Sequence, residues 1–412
     1  MNLNRKLKRL LNGAVISGGA ELTKEAAAAK ATSAIWTFPG ILLSAIVIAW
    51  GAESAQFLVS QGFALTILAL IQTLPEFAIE GVIAYRAGQY PSVENIGLMT
   101  ANFTGALRLL VGLGWPLIYF VSFIFNFKRH SRGFAAPIVL AEGHSIELMG
   151  LFVPTLYAFY IVFKGTLHLL DSAILFVLYG VYIAILLKMP PEEEEKIKEV
   201  EPIPRYILSR KRYMRNTMVW TCFLLGGAGI ITIAEPFLDS MLGLSITLGV
   251  STFVFVQWVA PFLSEFPEKI SAFYWAKTVH KAPMSLMNMI SSCIAELTLL
   301  IGMIPIVYCI SRGGIYTIEF DYLHRIEILM TAMQAFLGFL ILANMKFTWY
   351  EALALFLLWF AQFIFPELRE EILWVYGFYI TIEIVLNASK QRRIMAFKHF
   401  RDVWRSNIRP KS

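Results

Sequence analysis

Two short stretches of this chain share a pattern: Gln72-Thr73-Leu74-Pro75-Glu76 and Ser264-Glu265-Phe266-Pro267-Glu268. Each places a Pro-Glu pair inside a long apolar run. A carboxylate in the middle of an apolar span costs about 2.5–3.5 kcal/mol on insertion scales, so it usually marks an ion pathway. The neighbouring proline interrupts the helix and frees backbone carbonyl groups, which can become cation ligands. Two copies of this costly arrangement indicate a membrane protein built from a duplicated half.

The composition is that of a polytopic membrane protein. Of the 412 residues, 57% are hydrophobic and 16% are charged, whereas soluble domains carry about 25% charged residues. The net charge of +6 is concentrated in loops and tails, which suits contact with anionic lipid, and we expect no nucleic-acid partner. The cysteines, Cys222, Cys293 and Cys309, lie in apolar stretches without metal spacing and are expected to pack inside helices.

Apolar runs of about 20 residues predict an all-α fold with ten membrane spans and one further C-terminal candidate. The spans lie near 36–58, 62–85, 96–125, 147–164, 169–188, 216–237, 243–276, 284–310, 326–345, 348–365 and 370–388. The predicted organisation is an N-terminal segment (1–35), a first transmembrane repeat (36–188), a cytoplasmic linker (189–215), a second transmembrane repeat (216–366), an extra helix (367–388) and a basic cytoplasmic tail (389–412).

Lysine and arginine counts predict the orientation. Basic segments at 128–132, 188–216, 277–281 and 390–411 all fall on one side of the predicted spans, which we assign to the cytoplasm. The N-terminal basic cluster falls on the other side, so either a helix within 11–34 re-enters the membrane or the charge rule is overridden there. A multi-pass protein of the cell membrane is the expectation.

The two halves read as repeats. Glu268 lies 192 positions after Glu76, and Asn288 lies 186 after Asn102. Two further landmarks, Ile146-Glu147 and Asp171, have counterparts 180 positions later, at Ile326-Glu327 and Glu351. Because each half has five spans, the second half is inserted upside down. This predicts an inverted repeat with its binding site at the repeat interface, near the midplane of the membrane.

The same residues carry a resemblance to a known family. The first stretch, followed by Ala101-Asn102-Phe103-Thr104-Gly105-Ala106, resembles the first alpha-repeat of the sodium/calcium exchanger (calcium/cation antiporter) superfamily. That repeat reads Gly-Thr-Ser-Leu-Pro-Glu and then Gly-Asn-x-x-Gly-Ser-Asn. The second stretch, followed by Asn288-Met289-Ile290-Ser291-Ser292-Cys293, resembles the second alpha-repeat.

The resemblance implies a cation site. It implies that Glu76 and Glu268 are the central calcium ligands, and that oxygens of the residues just before them contribute. The further ligands implied in this way are Gln72, Thr73, Ser264, Glu265, Ser292 and Glu296. Several oxygens including carboxylates are what calcium requires, at about 2.3–2.6 Å.

The chain departs from the family pattern in its first repeat. Ala106 and Leu110 stand where the family has oxygen-bearing side chains, and Arg108 lies in the same apolar helix. Arg108 is therefore expected to compensate a buried negative charge, either as an ion-pair partner or in place of a coupling ion. The second repeat is instead enriched in carboxylates by Glu265 and Glu296, so protons are a possible coupling ion beside sodium.

These features predict a secondary cation antiporter that moves calcium, or a similar cation, in exchange for sodium or protons. Two alternatives stay open: a proton-coupled antiporter for another cation, and a non-transporting cation-binding protein whose site Arg108 neutralises. The expected partners are inorganic cations and membrane lipid, with no cofactor. The sequence has no Walker loop, His-Glu-x-x-His motif or Gly-x-Ser-x-Gly elbow, so no enzyme activity is expected. The oligomeric state and the role of the extra helix are left undetermined.

Overall fold

A computed structural model describes residues 16–17, 20–21, 24–55, 57–58, 70–71, 73–126, 136–189, 200–389 and 394–408. Within these ranges the protein is a bundle of helices with three pairs of two-residue strands. Helices suit a lipid environment because they satisfy every backbone hydrogen bond within one segment.

The first half contains β1 (Ile16–Ser17), β2 (Ala20–Glu21), α1 (Lys24–Thr32), α2 (Ala34–Ala55), α3 (Leu74–Gln89), α4 (Val93–Leu109), α5 (Trp115–Asn126), β3 (Ile138–Val139), α6 (Ser145–Lys164), β4 (Thr166–Leu167) and α7 (Leu169–Leu186). A π-helical turn, Leu110–Gly114, joins α4 to α5.

The linker and second half contain α8 (Pro202–Leu208), α9 (Arg212–Leu248), α10 (Thr252–Ser264), α11 (Phe266–Ala276), α12 (Ala282–Ala295), α13 (Ile301–Arg312), β5 (Ile318–Glu319), α14 (Tyr322–Leu342), β6 (Lys346–Phe347), α15 (Trp349–Ile364), α16 (Arg369–Ala388) and α17 (Met395–Val403). A second π-helical turn, Glu296–Leu300, joins α12 to α13.

The apolar runs predicted from the sequence correspond to these helices. Among the described residues, seven helical segments are long and apolar enough to cross a membrane. An eighth is counted if α15 and the helix after it, which meet at 110°, form one bent span. The two remaining predicted runs, near 62–85 and 243–276, contain the Pro-Glu stretches and hold only shorter helices in the part of the chain described here. The shortfall from eleven therefore arises at the break between α10 and α11, at the bend, and in the run near 62–85, of which residues 62–69 and 72 lie outside the described residues.

One predicted boundary was wrong. The sixth span was expected to end near residue 237, but α9 continues through Pro236 to Leu248. It ends where Gly249 adopts a left-handed φ of 68°, a conformation that glycine reaches without the steric cost of a Cβ atom. This long helix packs along α1 and α2.

Strand pairing displays the repeat symmetry directly. β3 pairs antiparallel with β6, and β4 pairs antiparallel with β5. Ile318 lies 180 positions after Ile138 and Lys346 lies 180 after Thr166, which is the offset found from the sequence landmarks. Each repeat therefore gives one strand to each pair. Because α6 runs from β3 to β4, the two pairs lie at opposite ends of that helix, as an inverted repeat requires.

The segments outside the ten core spans pack against the repeats. α16 lies against α14, and α17 lies against α6. Within the predicted linker, residues 200–211 hold only the single short helix α8. Residue Glu201 is buried there, and its backbone N–H donates to Glu53 Oε1 of α2 at 3.3 Å.

Candidate functional site

Both Pro-Glu glutamates occupy the first turn of a helix that follows a break. α3 begins just after Thr73, and α11 begins just after Glu265. Glu76 and Glu268 are both about as buried as a side chain can be, at 1% exposure each. The unpaired backbone N–H groups at a helix N-terminus favour a nearby negative charge. The helix breaks therefore explain how two carboxylates are tolerated at this depth.

Glu76 joins the two repeats. Its Oε1 accepts a hydrogen bond of 2.5 Å from Asn102 Nδ2 of α4, and its Oε2 accepts one from the hydroxyl of Ser264, at the end of α10. Asn102 also donates to Glu80 Oε2 at 2.9 Å. A first-repeat glutamate is thus held by a second-repeat serine, which brings the two helix breaks together at the centre of the bundle.

Glu268 is held within its own repeat. Ser292 Oγ donates to Glu268 Oε1 at 2.5 Å, whereas Glu268 Oε2 accepts no hydrogen bond from the described residues. The equivalent of Ser292 in the first repeat is Ala106, which cannot make this bond. The predicted asymmetry between the repeats therefore has a geometric counterpart.

Glu265 and Glu296 complete what we call the carboxylate cluster, namely Glu76, Glu80, Glu265, Glu268 and Glu296. All five are at most 2% exposed. Lys269 Nζ donates to Glu265 Oε2 at 2.5 Å, and Glu296 lies within hydrogen-bonding reach of Glu265. Within the described ranges, neither Glu296 oxygen accepts a hydrogen bond from a donor group.

The other residues implied by the family are placed as follows. Thr73 is buried, and its hydroxyl donates to the Leu70 carbonyl at 2.9 Å. Gln72 lies outside the described residues. Ser264, Glu265, Ser292 and Glu296 all lie at the cluster, as the preceding contacts establish. In the described part of the chain, no three acidic, His or Cys side chains converge closely enough to hold a metal ion by themselves.

Arg108 lies in a separate network. It is 1% exposed, and its guanidinium forms an ion pair with Glu327 of α14. Arg369, at the start of α16, pairs with the other oxygen of the same carboxylate. The ring of Trp258 stacks near Arg108, 5.3 Å from its Cζ, which adds a cation–π contact. The positive charge of Arg108 is therefore placed against Glu327 rather than against the carboxylate cluster.

Amides and a phenol surround this ion triad. Gln257 Nε2 donates to Glu327 Oε2 at 2.9 Å, and Arg108 Nη1 donates to Gln362 Oε1 at 3.0 Å. Gln362 Nε2 in turn donates to the Tyr376 hydroxyl at 2.7 Å, and that hydroxyl donates to Gln334 at 2.9 Å. We call these residues, with Arg369, the Arg108 network. It links α4, α10, α14 and α15 to the extra helix α16.

Sequence reasoning missed most of this network. In the sequence Glu327 served only as a landmark of the repeat, but it is 2% exposed and bridges two arginines. The signal in the sequence was Arg108 itself, because an arginine inside an apolar helix requires a partner. Nothing in the spacing indicated that Arg369 of the extra helix would reach the same carboxylate.

The comparisons with known proteins agree with this architecture. A family model described as "Sodium/calcium exchanger protein" matches residues 32–188 and 218–366. The chain belongs to the sodium/calcium exchanger protein family. Its match comprises two segments, one before and one after the linker, and it contains both Pro-Glu breaks.

Solved structures of exchangers resemble the chain closely. A structure described as the H⁺/Ca²⁺ exchanger CAX is 35% identical, covers 91% of both chains and has a TM-score of 0.82. The sodium-calcium exchanger NCX_Mj, soaked with Na⁺ and Sr²⁺, is 16% identical with a TM-score of 0.52, covering 82% of this chain and 98% of that one, and shares the fold. No curated protein sequence matches the chain. By its family and its membrane-spanning helices, this exchanger is a multi-pass membrane protein and a cation antiporter.

Proposed function

We propose that this exchanger moves calcium in exchange for protons, with Glu76 and Glu268 as central ligands. The observation that carries the proposal is the hydrogen bond between Glu76 and Ser264, which brings the two Pro-Glu helix breaks together. Alternating access around a site at the interface of inverted repeats is the usual plan of such transporters.

The oxygen supply suits a hard cation. Ser264, Ser292 and Asn102 add neutral oxygens beside the carboxylate cluster, and Glu268 keeps a buried oxygen without a hydrogen-bond donor among the described residues. Calcium takes six to eight oxygens at about 2.3–2.6 Å. Because the carboxylates do not converge on one point, we propose that calcium binding draws them together.

Protons are the proposed counter-ions because of the charge balance. The cluster holds five buried carboxylates, four of which lie within electrostatic range of Lys269, and isolated charges at this depth are costly. Protons neutralise such a cluster without needing a separate set of coordinating oxygens. The likeness to the H⁺/Ca²⁺ exchanger, at 35% identity, supports the same counter-ion. The cell membrane is the proposed location, since the basic loops suit an anionic cytoplasmic leaflet.

The alternative of a site neutralised by Arg108 receives less support. The guanidinium of Arg108 is engaged by Glu327, Gln362 and Thr104. Because this network holds the arginine, the negative charge of the carboxylate cluster is neutralised by the transported ions and by Lys269.

Reconstituted vesicles test the proposal. Calcium uptake is measured under an imposed proton, sodium or potassium gradient, for the wild type and for Glu76→Gln and Glu268→Gln. Glu371→Gln is the matched control, because Glu371 is an exposed carboxylate of α16. We expect proton-driven uptake that is lost in both cluster variants and retained in the control. Uptake that survives both substitutions would overturn the ligand assignment, and uptake driven by sodium alone would overturn the counter-ion.

A further inference from the structure

Lys269 is a buried positive charge inside the proposed cation site. It follows Glu268 directly, is 6% exposed, and its ammonium lies 2.5 Å from Glu265 Oε2. The ammonium also lies within electrostatic range of Glu76, Glu268 and Glu296. The ammonium therefore lies where a transported cation would bind the carboxylates.

The position of Lys269 in its helix is unfavourable for a lysine. It lies in the first turn of α11, where the aligned peptide dipoles repel a positive charge. An i,i+4 pair such as Glu265–Lys269 contributes only about 0.2–0.5 kcal/mol on an exposed helix, and burying both charges adds a desolvation penalty. Stabilising the helix is therefore an inadequate explanation of the pair.

The pair belongs to the second repeat alone. At the 192-residue offset, Thr73 and Phe77 occupy the equivalent positions and carry no charge. Thr73 uses its hydroxyl in a local bond to the Leu70 carbonyl. Glu265 and Lys269 thus add one negative and one positive charge to a site whose other half lacks both.

Resting on the proposed function, we infer that Lys269 is a tethered cation that competes with the transported cation for Glu265. In the described conformation its ammonium occupies Glu265 Oε2, while Glu265 Oε1 and Glu268 Oε2 accept no hydrogen bond from the described residues. A divalent ion that binds Glu265 through both oxygens must displace the lysine. Lys269 thereby limits the affinity for the cation and holds the cluster partly neutral when the cation has left.

Equilibrium binding of radioactive calcium to the purified full-length protein tests this inference. We compare Lys269→Met with the wild type and with Lys277→Met, a matched control at the far end of the same helix, where Lys277 lies over Phe273 and Tyr274. Freeing Glu265 should tighten calcium binding by about tenfold, equivalent to about 1.4 kcal/mol, while the control stays at the wild-type value. Unchanged or weaker binding in a folded Lys269→Met protein would overturn the inference.

A measurement on the wild type covers the case in which Lys269→Met does not fold. Acetylation of Lys269 by acetic anhydride, quantified by mass spectrometry against Lys277, should increase as calcium saturates the site. Labelling of Lys269 that calcium leaves unchanged would show that the lysine is not displaced. If the wild type neither binds nor exchanges calcium, the proposed function fails first; if it exchanges calcium and the lysine results are negative, only the role of Lys269 fails.

Discussion

The Arg108 network makes a sharp prediction about which of its charges the fold needs most. Glu327 faces two guanidinium groups, those of Arg108 and Arg369, and also accepts from Gln257. Removing the carboxylate takes the anion away from the buried Arg108 and from Arg369, whose side chain is 11% exposed. Removing Arg108 leaves Glu327 with Arg369 and Gln257. The two substitutions are therefore not equivalent, although they break the same ion pair.

The expected losses of unfolding free energy follow from the groups that each substitution leaves without a partner. Breaking a buried pair so that a charge is left uncompensated costs about 3–5 kcal/mol, and this applies to Glu327→Gln. For Arg108→Met the main losses are donors to Gln362 Oε1 and the Thr104 carbonyl, and a buried acceptor left unsatisfied costs about 1–3 kcal/mol. We expect Glu327→Gln to lower the free energy of unfolding by about 2 kcal/mol more than Arg108→Met, by the same two ranges.

The assay is reversible unfolding in mixed micelles, with calcium binding measured on the folded fraction. Both variants should bind calcium with an affinity near that of the wild type, because neither residue contacts the carboxylate cluster. The reasoning would be refuted if Arg108→Met were the more damaging change. It would also be refuted if Arg108→Met altered calcium affinity tenfold while remaining folded, which would return Arg108 to a charge-compensating role at the site.

Two further predictions concern packing and the linker. At Gly105, a Cβ atom would lie 1.8 Å from the backbone oxygen of Gln257, whereas Gly180 has no neighbour within 4 Å of its Cβ position. Gly105→Ala should therefore lower the free energy of unfolding by at least about 3 kcal/mol. The control, Gly180→Ala, should not lower it. Burial raises the pKa of Glu201 in the linker, although hydrogen bonds with Trp50 and Ser271 oppose the shift. The raised pKa belongs to the state in which residues 200–208 pack against α2. This packing should therefore be strongest below the ordinary pKa of a glutamate and should weaken as the pH rises through the raised value. Hydrogen exchange of residues 200–208, corrected for its intrinsic pH dependence, should show this weakening in the wild type and not in Glu201→Gln.

These contacts restrict which helices can move separately during alternating access. Glu76 binds Ser264 across the repeat interface, so the α3 and α10 breaks move together while that bond persists. The Arg108 network ties α4 and α14 to the extra helix α16 and lies apart from the cluster. The extra helix, which has no counterpart in the first half, is thereby attached to the second repeat through Arg369 and Tyr376.

Sequence patterns alone predict the helical spans, the duplication and the two Pro-Glu helix breaks. These features are local: a span must satisfy its own backbone in lipid, and a Pro-Glu pair inside it breaks the helix wherever the rest of the chain lies. The order of landmarks at offsets of 192, 186 and 180 residues then predicted the inverted repeat that the β3–β6 and β4–β5 pairs display.

Which buried charges meet depends on how the helices pack. Arg108 pairs with a carboxylate 219 residues away, and Ser264 bonds to a glutamate 188 residues away. No spacing rule reaches such distances, because the partner of a buried charge is chosen by how the helices pack. Lys269 shows both sides of this division: its i,i+4 spacing from Glu265 is visible in the sequence, but its burial within electrostatic range of Glu76, Glu268 and Glu296 is not.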